Sequence, residues 1–238
     1  MGALRNFVSR EIKWTEELEN HLDKGTELKF SKAFLKVGAD RPFIILATYF
    51  ARVITHRVYQ QDLIFPIGEE WNNTAIGFSG VASSKPFQTL AANTVPSFDL
   101  LEKTQFVPRY RYECGKTRLD NITDWALEQF KSHYEREATL LPQGEKRARI
   151  TKDAIFHYVY GVLHDPIYRE KYAQNLKREF PRIPFLSRFL ALGRLGRGAD
   201  GTSHRLRERR ALAARAHRYK RRESRHGWAR AKTHFEGR

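Results

Sequence analysis

Residues 121 to 184 constrain the fold more than any other stretch, because helix caps, an apolar period and stop signals agree there three times in succession. Asn121 is a favoured N-cap with Asp124 three residues on, and Ile122, Trp125, Ala126, Gln129, Phe130 and His133 then share one helical face. Thr151 caps a second predicted helix, Lys152 to His164. Its Ile155, Phe156, Tyr158, Val159, Tyr160, Val162 and Leu163 are apolar nearly all round, so this helix is expected to be the buried member of the group. Asp165 and Pro166 end it and begin a third, since proline suits a first helical position where no amide hydrogen bond is needed. There Tyr168, Tyr172, Leu176 and Phe180 recur every four residues, Arg169, Glu170, Lys171, Lys177 and Arg178 face water, and Pro181 and Pro184 stop the helix.

Upstream the signals are mixed. Arg10 to Gly25 predicts a short amphipathic helix with Ile12, Trp14, Leu18 and Leu22 as its apolar members and Gly25 as its stop. Between Thr74 and Tyr112 the pattern turns to strands: Ala75 to Val81, Phe98 to Leu101, and Gln105 to Tyr112, where aromatic and polar residues alternate around Pro108. An antiparallel or mixed sheet follows, with the register of Ile44 to Ile54 left open. The predicted class is α+β. A sheet-containing region (1–113) precedes a three-helix region (114–190) and an Arg-rich tail (191–238) expected to be disordered, while the stretch between His133 and Thr151 reads as an inserted, exposed loop.

A formal charge of +16 points to a polyanionic partner, with nucleic acid the first candidate and an acidic membrane surface the second. The charge is unevenly placed. Residues 193 to 238 hold 15 Lys and Arg against 4 acids, leaving residues 1 to 192 with 28 against 23, so the body is only mildly basic. Cys114 is the one cysteine, which excludes an intrachain disulfide and suits a reducing cytoplasm. The N-terminus carries no apolar signal-peptide core, and the longest apolar run, Phe43 to Ile54, is interrupted by Arg52 and too short to span a bilayer. A cytoplasmic protein is expected.

The strings Asn-Ile-Thr-Asp-Trp-Ala-Leu-Glu-Gln-Phe (121 to 130), Ile-Phe-His-Tyr-Val-Tyr-Gly (155 to 161), Pro-x-Tyr-Arg-x-x-Tyr-x-x-x-Leu-Lys-Arg (166 to 178) and Pro-Arg-Ile-Pro (181 to 184) resemble the C-terminal specificity domain of type ISP restriction-modification enzymes. Ile-Lys-Trp-Thr-Glu-Glu-Leu (12 to 18), Arg41-Pro42-Phe43, Arg57-Val58-Tyr59 and Ile64-Phe65-Pro66 fit the same pattern. Those enzymes are long polypeptides with a nuclease, a helicase-like translocase, an adenine-N6 DNA methyltransferase and, last, a target recognition domain. This chain resembles that last part alone, from about residue 10 to 188. The resemblance implies a module that binds a short asymmetric duplex DNA sequence and positions it for catalytic parts supplied elsewhere, with a methyltransferase and helicase polypeptide encoded nearby as the second partner. No catalysis and no cofactor of its own are implied.

Two departures from the family pattern carry expectations. The family usually places glycine before the signature Ser83-Ser84-Lys85-Pro86-Phe87-Gln88, where this chain has Ala82; a positive φ there would strain alanine. After Arg188 the motifs stop and an arginine-rich run follows, 13 of its 15 basic residues being Arg, as in a GC-rich gene read out of frame. A frameshifted C-terminus is the expectation, and a native nucleic-acid-binding arm its rival.

For DNA contacts the loop offers Ser83, Ser84, Lys85 and Gln88: Gln can pair with adenine, Lys with guanine or phosphate, and serines with phosphate oxygens. Arg109, Arg111, Lys116 and Arg118, interleaved with Tyr110 and Tyr112, add a basic run. Each also fits a solvated charge or a turn-forming serine. Trp125, Tyr158 and Tyr172 fit core positions better than stacking platforms. Gly115-Lys116-Thr117 lacks the first glycine of a phosphate loop, where Tyr110 stands, and reads as a polar hairpin. His157 and His164 lie seven apart on one helix without an accompanying carboxylate cluster, so no metal site is expected. Three other functions compete: a non-specific nucleic-acid binder driven by the tail, a hydrolase or nuclease using His157 or Cys114, and an interaction module docking on a methyltransferase subunit through its helical face.

Overall fold

A computed structural model of the 238-residue protein describes residues 14–42, 44–55, 59–66, 73–113, 117–138, 150–187 and 189–198. Ile12, Phe43, Arg57, Val58, Cys114, Gly115, Lys116, most of the expected inserted loop and all beyond residue 198 lie outside them.

The described architecture is α+β, with two three-stranded sheets, a two-stranded hairpin and a helical group. Helix α1 (Glu16–Asp23) is capped by the Thr15 side chain, has three acidic residues in its first turn and stops at Gly25, whose φ is +64°. It is shorter than the Arg10 to Gly25 expectation and buries none of its residues. Strand β1 (Leu35–Arg41) is the centre of the first sheet, antiparallel to β2 (Ile44–Tyr49) and parallel to the two-residue β5 (Val95–Pro96). The second sheet has β3 (Ala75–Phe78) between β4 (Thr89–Ala92) and β6 (Gln105–Pro108), both antiparallel to it. Strands β7 (Tyr110–Glu113) and β8 (Thr117–Asp120) pair antiparallel as the hairpin. Phe98 to Leu101 is a turn and not the expected strand. Its Leu100 is fully buried, so the apolar run marks a turn plugged into the core.

Asn73 ties these parts together. Its side-chain amide donates to the carbonyls of Ile64, at the end of the short α2 (Gln61–Ile64), and of Tyr110, both at 2.8 Å, while its oxygen accepts from Tyr110 N at 3.1 Å. All three bonds are made by a side chain that is 2% exposed, so its hydrogen-bonding capacity replaces water at the junction.

Helix α3 (Asp124–Ala138) begins two residues later than expected: Thr123, not Asn121, caps it through Ala126 N at 3.2 Å. Asn121 instead donates to the Pro108 carbonyl. The predicted second helix is present as α4 (Lys152–His164), capped by Thr151, with seven of its residues buried from Ile155 to Leu163. The third is broken at Tyr172 into α5 (Pro166–Lys171) and α6 (Ala173–Arg178). Phe180, the last member of its apolar series, is 58% exposed.

Three tyrosines pin the extended segment after α6 across this group. Tyr168 Oη donates to the Arg182 carbonyl at 2.9 Å, Tyr158 Oη to Pro184 at 2.6 Å and Tyr134 Oη to Leu186 at 2.9 Å. Tyr160 Oη reaches the other way, accepting the Ala91 amide of β4 at 2.9 Å. One apolar core therefore runs from Ile76 and Ala91 of the sheet through α4 to Phe189 and Leu192.

Phe189 and Leu192 belong to a seventh helix, α7 (189–198), so the first eight residues of the segment expected to form the tail are helical. Glycines set its crossing of α4. A Cβ on Gly161 would lie 2.2 Å from the Leu192 carbonyl oxygen, and one on Gly196 would lie 1.9 Å from the His157 carbonyl oxygen. The two backbones approach at distances that no side chain permits.

Candidate nucleic-acid interface

The signature loop leaves the end of β3 and returns as β4, and its conformation is set from outside. Ala82 has φ +60°, the left-handed conformation that the glycine-to-alanine departure made costly. Its amide donates to the Lys177 carbonyl of α6 at 3.0 Å, and its carbonyl accepts from Lys103 Nζ at 3.0 Å. Ser79 closes the loop base: its amide donates to the Gln88 carbonyl at 2.9 Å and its hydroxyl accepts the Gln88 amide at 3.0 Å. Phe87 stacks on Phe78, and Arg169 of α5 donates to the Phe87 carbonyl.

Glu102 fills the loop. Its carboxylate accepts the Ser83 hydroxyl at 2.8 Å, the Ser84 hydroxyl at 3.0 Å, the Ser84 amide at 3.2 Å and the Lys85 amide at 3.3 Å. The Ser83 hydroxyl, followed by the Ser84 amide, holds this carboxyl well below its usual range, to about 2. Both serines thus have an internal carboxylate as partner where a phosphate was expected. Lys85 and Gln88 stand exposed on the braced backbone.

The basic run divides in the same way. Arg109 is 7% exposed, its Nε donating to Asp153 of α4 at 2.6 Å and its Nη1 to Asp120 of β8. Burial alone would favour a neutral guanidinium, but these two carboxylates outweigh it and raise its pKa. Lys152 continues the network to Asp124 at 2.7 Å and Asp120 at 3.4 Å. Arg109 is therefore turned inward as a brace between the hairpin and the helices. Arg111 and Arg118 are exposed on the hairpin, the Arg118 guanidinium 4.5 Å from the Tyr110 ring centre and Arg109 4.3 Å from it. Lys116 lies outside the described residues, as does Cys114.

Register separates the two groups. Phe78, which leads into the loop, pairs with Gln105, whereas Ala75 at the other end of β3 pairs with Pro108, which leads into the hairpin. The loop and the hairpin occupy opposite ends of the sheet, roughly 10–14 Å apart at about 3.4 Å per strand residue.

Of the aromatic residues expected in the core, Tyr158 is fully buried and Tyr172 is half-buried against Tyr168, but Trp125 is 74% exposed in the first turn of α3. His157 Nδ1 donates to the Asp153 carbonyl within its own helix at 2.7 Å. His164 is half-buried against Tyr160, and burial followed by the nearby Arg169 charge lowers its pKa. Among the described residues no group of three or more His, Cys, Asp or Glu could hold a metal ion, and no helix is long and apolar enough to cross a membrane. Sequence reasoning missed Glu102, Asp120 and Asp153. Only the last two carried a local hint, as acids flanking or capping elements of a basic region.

The fold and its two exposed groups define an α+β domain that presents polar side chains on braced loops. The chain belongs to the type ISP C-terminal specificity domain family, whose model matches residues 5–226. That match extends past Arg188, where the motifs legible in the sequence stop. Similar solved structures include a DrdV–DNA complex (40% identity, TM-score 0.72, covering 82% of this chain and 18% of that one). A nuclease-deletion mutant of the type ISP restriction-modification enzyme LlaGI with a DNA substrate mimic is 26% identical (TM-score 0.66, 83% and 16%). The ATP-dependent type ISP enzyme LlaBIII bound to DNA is 22% identical and shares the fold (TM-score 0.70, 84% and 13%). The chain thus spans less than a fifth of the length of each. No curated protein matches it.

Proposed function

We propose that this chain is a sequence-specific double-stranded DNA recognition module that carries no catalysis of its own and works in the cytoplasm beside a methyltransferase and helicase polypeptide. Lys85 and Gln88 would enter a groove from the braced loop, while Arg111, Arg118 and Lys116 would hold phosphates and set register. Arg109, Ser83 and Ser84, first read as DNA contacts, act in this account by shaping the surface. One observation carries the reading: a lysine and a glutamine stand exposed on a loop whose backbone is fixed from β3, α5, α6 and Glu102 at once. Rigid presentation is what base readout needs. DNA complexes of DrdV and LlaGI, both above 25% identity, support it.

Salt titration of duplex binding tests the division of labour. Arg111→Ala and Arg118→Ala should weaken binding to all duplexes and each lower the salt slope by about 0.9. Lys85→Ala with Gln88→Ala should instead flatten the preference among duplexes. A slope that vanishes when the chain is ended at residue 198 would give binding to the basic C-terminal residues, which is the competing non-specific reading.

A further inference from the structure

We propose that Glu102 is a positioning residue for DNA reading: it locks the loop from which Lys85 and Gln88 reach base edges, and it denies that loop to phosphate. The inference rests on the function proposed above and assigns the discriminating step to a residue that touches no DNA.

Glu102 lies in the turn before β6, and this turn is joined to the loop backbone to backbone. Gly80 N donates to the Glu102 carbonyl at 3.1 Å, and a Cβ on Gly80 would lie 2.0 Å from the Lys103 carbonyl oxygen. The turn is itself closed by Thr104, whose hydroxyl accepts Leu101 N at 2.9 Å and whose amide donates to the Phe98 carbonyl at 2.8 Å. From this platform the carboxylate takes two hydroxyls and two consecutive amides. Consecutive amides converging on one point are the usual cradle for a phosphate oxygen. Here an anion belonging to the chain already occupies it, so an incoming phosphate would meet negative charge and satisfied donors. The loop is left with the Lys85 ammonium and the Gln88 amide as its outward chemistry, which suits base edges better than the backbone. Ala82 sharpens the need for the lock: with its left-handed φ unfavourable for alanine, the loop keeps its shape only while contacts such as those to Glu102 hold it.

The test compares the full chain with Glu102→Gln and Glu102→Ala, and with the reciprocal Ser83→Ala, Ser84→Ala double variant should a Glu102 variant fail to fold. Affinities are measured for a selected duplex and for a scrambled one, alongside amide hydrogen exchange. Loss of charge-assisted hydrogen bonds predicts that exchange at Ser84 and Lys85 quickens about tenfold and that the preference for the selected duplex falls about tenfold, while affinity for the scrambled duplex is kept or rises as phosphate reaches the vacated donors. A Glu102→Ala protein that keeps the wild-type preference overturns the proposal. So does one that binds the scrambled duplex about tenfold more weakly, because the carboxylate would then be supporting DNA contact in general instead of keeping phosphate out of the loop. If the wild-type chain prefers no duplex, the recognition reading fails and this inference with it; a selective wild type with an equally selective variant removes the inference alone.

Discussion

Arg109 Nε donates at 2.6 Å to Asp153 Oδ1, joining the link between β6 and β7 to the first turn of α4 and so the strand-bearing part of the chain to its helices. Asp120 takes a second guanidinium proton, and Lys152 extends the network to Asp124. Because the arginine is buried and its partners are partly exposed, Arg109→Ala should cost about 2–3 kcal/mol in denaturant unfolding. Arg109→Lys should recover less than half, since one ammonium cannot present the same two-acceptor fork. Unchanged stability with weakened DNA binding would return Arg109 to the list of DNA contacts.

Acid should destabilise the protein in two stages. His164 has a lowered pKa in the fold, so the unfolded chain binds the extra proton first, and the stability tied to its neutral form is lost as pH falls below 6.5. Glu102, at about 2 instead of 4.5, and Asp120, which burial pushes up but Arg109 and Lys152 together hold below its usual range, add stability above their unfolded values that is lost as pH falls through the folded ones. Melting temperature against pH should therefore decline gently below 6.5 and steeply below 4.5, and Glu102→Gln should soften the second decline. A variant that follows the wild-type curve throughout would show that Glu102 is not bonded as described.

Ala82→Gly should stabilise the chain, because glycine adopts φ +60° without the penalty that alanine bears. At about 1 kcal/mol the gain is roughly 2–4 °C in melting temperature for a chain of this size. No gain would mean that the loop relaxes away from the left-handed conformation.

Gly161→Ala and Gly196→Ala should each destabilise by about 1–3 kcal/mol, because the added carbon meets backbone oxygen at 2.2 and 1.9 Å and backbone cannot rotate aside. Calorimetry reads the loss. Wild-type stability in both variants would mean that α7 does not pack on α4.

Local signals made the helices legible and tertiary contacts hid the site. Thr151, the apolar run to Leu163 and the Asp165-Pro166 junction lie within one another's reach along the chain, so α4 and its ends could be read directly. The break at Tyr172 could not, because the four-residue apolar period of Tyr168, Tyr172 and Leu176 passes through it. Trp125 was misplaced for a related reason: Leu127, Phe130 and Tyr134 carry the inward face of α3, and the first turn overhangs the core. Lys85 and Gln88 stand where the motif put them, but Glu102 sits 17 residues beyond Lys85 with nothing local to mark it. Gly196 lies in the segment expected to be a disordered tail, whereas in α7 it is, with Gly161 of α4, what lets two helices touch.

Duplex selection tests the central claim most directly. The chain ended at residue 198, which keeps α7, is incubated with a random duplex library at moderate salt, and the retained DNA is sequenced. The account predicts one enriched asymmetric motif, lost in the Lys85→Ala, Gln88→Ala double variant. Retention without enrichment from a folded sample would contradict it.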